Sequence, residues 1–199
     1  RMGIFFSILV TFVFICNVDA RPISYSGGHT LMHFNDSMKE SIYYHYSPTY
    51  KFSIGLETMQ NKVFSINETN IRFTYLLNRK NKKLSQRNLY FQSAISTKDN
   101  NYVYGMHGDW ETRRYFIGFA YKEVKNIIDY SDKHIHLGVA PYLGEYGDLH
   151  TWLMVKTKKN SINNKQITYP VVKFFKGNVL LELGYDKKKD WDIHLMYRF

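Results

Sequence analysis

The chain is poor in the residues that staple small exported domains. Its 199 residues contain one cysteine, Cys16, which lies in an N-terminal apolar run. Neither a disulfide framework nor a thiolate metal site is open to the remainder. After Ala20 there is no apolar segment of the roughly 20 residues that a membrane-spanning helix needs, and mean hydropathy is −0.39. A helical inner-membrane protein is excluded. Proline is scarce at four residues. Pro141 and Pro170 nevertheless fall inside strand-like runs, where a residue that cannot donate to the ladder marks a bulge or a strand end. Acidic residues are the minority, 17 Asp and Glu against 27 Lys and Arg, for a net charge of +10. Such a balance raises nucleic acid as a partner. The export signal below argues against that and for anionic lipid head groups or an anion-favouring lumen.

The N-terminus carries that signal. Arg1 gives a short basic start, residues 4–18 form an apolar run broken mainly by Ser7, Thr11 and Asn17, and Val18, Asp19 and Ala20 stand where a signal peptidase reads. Cleavage is expected after Ala20, leaving 1–20 as the signal and 21–199 as one domain. A lipidated Cys16 would need small residues before it, whereas Phe14 and Ile15 stand there.

The C-terminus is the most regular part of the chain. Trp191, Ile193, Leu195, Tyr197 and Phe199 fall on one face of a strand and Asp192, His194, Met196 and Arg198 on the other, because strand side chains repeat with a period of two. The same alternation recurs along the chain. It predicts strands at 28–35, 41–47, 50–59, 70–78, 88–97, 102–111, 114–124, 134–143, 149–157, 167–175, 179–186 and 191–199. The count is about twelve, with eight as the lower bound. One face of each strand is apolar and the other mixed. Aromatics make up 17% of the chain, with 17 Tyr to 3 Trp, as suits ring girdles at both interfaces of a membrane barrel. Linkers after the odd-numbered strands (36–40, 60–69, 98–101, 125–133, 158–166, 187–190) are longer than most of those after the even-numbered ones, and 79–87 breaks that rule. The expectation is an all-β antiparallel transmembrane barrel of the bacterial outer membrane, its apolar face to lipid and its mixed face to the lumen.

Residues 109–116, 140–154 and 172–177, with the closing Tyr197, Arg198 and Phe199, resemble a family of small, poorly characterised proteobacterial outer-membrane proteins. The likeness extends to residues 27–36. It implies a β-barrel and, for some members, an association with copper or other heavy-metal handling genes. It implies no catalytic residue.

Three kinds of chemistry are conceivable on the predicted inner face. Lumen charges at Lys51, Glu57, Arg72, Asp109, Glu111, Arg114, Lys122, Lys173, Glu182, Asp192 and Arg198 would either pair into a stiff plug or leave a filter for small anions. Imidazole and thioether together suit copper. His29 and His33 of the first strand would meet His194 and Met196 of the last once the barrel closes, with His134, His136, His150 and Met154 elsewhere inside. Ser41 or Ser47 beside His45 is the sole local candidate for a hydrolytic pair, with no orienting third residue fixed by spacing. The favoured reading is non-enzymatic: a narrow passive channel for small solutes or ions, or a packed barrel whose loops bind at the surface. Copper binding or homeostasis is second, with copper as the possible cofactor, and an interfacial lipid enzyme third. Expected partners are outer-membrane lipid and lipopolysaccharide, and the barrel assembly machinery, which would read the strand ending in Phe199.

Overall fold

A computed structural model describes residues 22–126, 129–145, 147–187 and 190–199; the expected signal segment and Cys16 lie outside them. The strands are β1 (Gly28–Asn35), β2 (Lys39–Thr49), β3 (Phe52–Asn61), β4 (Ile66–Asn81), β5 (Ser85–Ser96), β6 (Tyr102–Thr112), β7 (Tyr115–Lys125), β8 (Tyr130–Val139), β9 (His150–Asn160), β10 (Gln166–Lys176), β11 (Val179–Tyr185) and β12 (Trp191–Arg198). Each pairs antiparallel with its neighbours in sequence, and β1 pairs with β12. The result is a closed twelve-stranded barrel. Closure gives every strand two partners, so the sheet has no edge to leave unsatisfied in hydrocarbon. The expected fold and strand count hold, and the Arg198–Thr30 register confirms that the chain's last strand closes the wall.

An even strand count puts both chain ends at one rim, here called the near rim. The turns β2–β3, β4–β5, β6–β7, β8–β9 and β10–β11 share it, and the other turns lie at the far rim. Two boundaries differ from expectation for identifiable reasons. The stretch 79–87 is hairpin rather than linker: β4 and β5 run on to Asn81 and Ser85, with a register shift between Leu76 and Asn78 that breaks the alternation. On the near rim the longest connection is instead 140–149, because β8 stops at Val139, just before Pro141. Pro170 sits inside β10 opposite Val155 and is exposed. Pro48 accompanies a second register shift, between Tyr46 and Thr49.

Burial strictly alternates along most strands, and its sense inverts that of a water-soluble protein. Ile54, Leu56, Ile71, Phe73, Ile117, Phe119, Ile135, Leu137, Leu153 and Val155 point outward, whereas Ser53, Glu57, Arg72, Thr74, Lys156 and Lys173 are buried inside. A belt of this kind is stable only against lipid. Aromatics mark its margins. Tyr44, Tyr46, Tyr197 and Phe199 gather near the near rim, and Tyr102, Tyr104, Tyr121, Tyr185 and Trp191 near the far one.

Candidate functional site: the lumen

The lumen is filled differently at its two ends. Toward the near rim, inward side chains pack on one another. Met32, Tyr43, Phe175, Leu180 and Met196 form one apolar cluster, and a second, Phe116, Met154, Tyr169 and Val171, climbs the wall from there toward the far rim. A third cluster contains a residue from outside the wall: Ile23, 2% exposed, packs with Leu76 of β4 and Tyr90 of β5. The segment preceding β1 has turned back into the barrel. Its backbone is anchored there, with Ser53 Oγ donating to the Pro22 carbonyl at 2.9 Å and the Ser24 amide donating to Ser47 Oγ at 3.0 Å. The reversal depends on two glycines. Gly27 has φ +80°, a region that L residues rarely adopt, and a Cβ on Gly28 would lie 2.6 Å from Ser24 Oγ.

Toward the far rim the lumen opens into a cavity of about 240 Å3. Its wall carries charges of both signs, most of them paired. Arg72 meets Glu57 at 3.1 Å and, at the cavity's lower end toward the near rim, Lys173 meets Glu182 at 3.0 Å, each between adjacent strands. Lys156 reaches Asp192 at 2.6 Å from β9 to β12, where Tyr169 also donates to the same carboxylate. The turn at 36–38 folds over the mouth, where Asp36 accepts from Lys158 of β9 at 2.6 Å. Burial alone would raise the Asp36 carboxyl, but Lys158 and Lys39 hold it well below the usual carboxylate range.

Lys122 departs from this pairing. It points into the cavity from β7, within electrostatic reach of Lys39, Arg72, Glu57 and Asp132, yet no carboxylate approaches within salt-bridge distance among the described residues. Lys39, Arg72 and Lys122 thus gather around Glu57, which Arg72 and, at 4.0 Å, Lys39 already engage, while Asp132, the register partner of Lys122 on β8, stands beyond salt-bridge distance on the same cavity wall. The Arg72 guanidinium also lies 4.1 Å from the centre of the Tyr43 ring, which holds it against the wall. Over the whole cavity wall the charges balance among the described residues, with Lys39, Arg72, Lys122, Lys156, Lys158 and Lys173 against Asp36, Glu57, Asp109, Asp132, Glu182 and Asp192, so the positive character is local to Lys122 and its neighbours.

Several sequence-predicted residues take these places and others do not. Arg72, Asp109, Glu111, Lys173, Glu182, Asp192 and Arg198 do face inward, and the Asp109 carboxylate accepts from Asn88 at 2.7 Å. Arg114 does not line the lumen. It lies in the β6–β7 turn, exposed, because β7 begins one residue later. Lys51 likewise sits exposed in the β2–β3 turn.

The predicted copper cluster does not assemble. His194 and Met196 are buried inside, but the inward residues of β1 are Gly28, Thr30 and Met32, which turns His29 and His33 to the outer surface. His29 stacks with Tyr44, Tyr46 and Phe199 in the near-rim girdle, and His33 pairs with Glu40. Inside, His134 and His136 stack on each other. No three His, Cys, Asp or Glu are placed to hold a metal among the described residues. Ser41, His45 and Ser47 do share the inner face of β2. Both ring nitrogens of the wholly buried His45 lack a hydrogen-bond partner, so no carboxylate orients it. The predicted terminal alternation is present, with Trp191, Leu195, Tyr197 and Phe199 outward and exposed and Ile193 between them partly covered. Sequence reasoning missed the inward-folded segment 22–24, which has no periodicity to reveal it.

Comparison with known structures bears on the whole barrel. A KdgM porin in complex with disordered oligogalacturonate superposes with a TM-score of 0.56 at 13% identity, over 86% of this chain and 99% of that one. A second KdgM porin structure gives 0.54 at 14%, with the same coverage. The fold is that of an outer-membrane porin. No family pattern and no curated protein sequence matches the chain. Likeness at this identity speaks for the architecture and the membrane that it suits; the cargo has to be argued from the lumen.

Proposed function

We propose that this protein is a narrow passive channel of the bacterial outer membrane, selective for small anionic solutes. The observation that supports the reading is Lys122, which points into the cavity beside Lys39 and Arg72 with no carboxylate within salt-bridge distance among the described residues. Fixed cations in a low-dielectric surround raise the local concentration of anions and exclude cations. The oligogalacturonate in complex with the similar porin fits the same charge rule, since galacturonate units bear carboxylates. The far-rim cavity acts as the vestibule, and the segment around Ile23 sets the resistance at the other end.

No step of this role is chemical, so the protein is read as a conduit rather than an enzyme. Reversal potentials across a salt gradient in planar bilayers test it. The wild type should prefer chloride over potassium, and Lys122→Glu should shift the preference toward cations. A wild type that conducts without preference, or a variant with an unchanged reversal potential, would refute the filter.

A further inference from the structure

We propose that the outer surface of β8 and β9 near the far rim binds the phosphate groups of lipid A, the anchor of the outer leaflet. Lys133 of β8 and Lys159 of β9 are direct partners in the antiparallel register. Both lie on the lipid side of the wall, since the inward positions beside them are His134, Lys156, Lys158 and Asn160. Like charges placed directly opposite one another on a sheet repel and destabilise the pair. An anion seated between the two ammonium groups turns that repulsion into attraction.

The protein does not supply that anion. Neither lysine has a carboxylate within 4.0 Å among the described residues, and the nearest outward acid, Glu123 of β7, is already engaged. It accepts from Tyr104 at 2.5 Å and from Tyr121, and it pairs with Lys125 at 3.5 Å. The height fits a lipid head group as well. Lys133 is in register with Tyr121, a member of the far-rim girdle, so the two ammonium groups sit where the hydrocarbon ends and phosphates begin. This inference rests on the outer-membrane reading above, which puts the rim opposite the chain ends outside the cell. A phosphate on an acyl-chain anchor satisfies both requirements of the site, charge between the lysines and chains along the apolar belt below at Ile135 and Val155.

Native mass spectrometry of the detergent-purified protein tests this, with diphosphorylated lipid A, fully dephosphorylated lipid A and phosphatidylglycerol as the added lipids. The wild type should retain diphosphorylated lipid A at least tenfold better than the other two, and K133Q/K159Q should lose most of that preference. Heat-modifiability gels establish that the variant is folded, and single-channel conductance should be unchanged, because neither lysine touches the lumen. Loss of conductance selectivity in the wild type would count against the channel and leave this site standing. Equal retention of lipid A by the wild type and the folded variant would overturn the site, and equal retention of phosphatidylglycerol would overturn lipid A as its occupant.

Discussion

The two ends of the lumen share one wall and differ in what fills it. The near half is packed by side chains, in apolar clusters around Leu180 and Tyr90 and against the returning segment at Ile23. The far half is held by ion pairs around an open cavity. A period-two strand supplies an inner face without specifying its polarity, so a single barrel can be a packed core at one end and a charged vestibule at the other. The difference is that ion pairs leave water and a pathway between them, whereas Leu and Met side chains do not.

Breaking the pairs of the charged half should have the largest effect on stability. Lys173→Met leaves Glu182, 8% exposed, with His194 as its one remaining ion-pair partner among the described residues, and breaking a buried pair in this way costs about 3 kcal/mol. Thermal unfolding in detergent checks it, and an unchanged midpoint would mean that the far half is too wet for the pair to matter. Opening the near half comes next. Ile23→Ala removes the anchor of the returning segment, at a cost of about 2 kcal/mol, and should raise single-channel conductance severalfold. An unchanged conductance would place the resistance in the wall clusters instead. The smallest effect belongs to the turn over the mouth. Asp36→Asn should cost about 1 kcal/mol at neutral pH. The Asp36 pKa is lower folded than unfolded, so its contribution is complete above about pH 4 and is lost as pH falls through the folded value. The wild type and Asp36→Asn should therefore converge in stability under strong acid.

Where the chain faced lipid, the sequence was legible. Hydrocarbon tolerates no polar outward residue, so the alternation at 71–77 or 191–199 could be read directly, and the twelve strands followed. It became illegible where lipid ends. At the rims, His29 and His33 satisfy themselves among tyrosines or with Glu40, so the rule that polar residues face inward fails and the copper grouping fails with it. Arg114 had the correct parity but lay beyond the strand end. The register shift at Leu76 and Asn78 hid the extension of β4 and β5. Inward orientation of Lys122 could be read from parity. That it stays beyond salt-bridge distance of Asp132, its register partner on β8, depends on side-chain conformation, and no local pattern encodes that.

The central claim is that the lumen is a charged vestibule at one end, with Lys122 as its uncompensated cation, and a packed constriction at the other. Because the sole cysteine lies in the expected signal segment, single cysteines can be introduced into an otherwise thiol-free barrel at Gln92, on the cavity wall, and at Thr74, buried in the near half. Labelling each with anionic and cationic thiosulfonates of equal size measures access and sign together. Gln92→Cys should react with the anionic reagent at least tenfold faster than with the cationic one, and Thr74→Cys should react with neither. Equal rates for the two reagents at Gln92→Cys, or ready labelling of Thr74→Cys, would contradict the account.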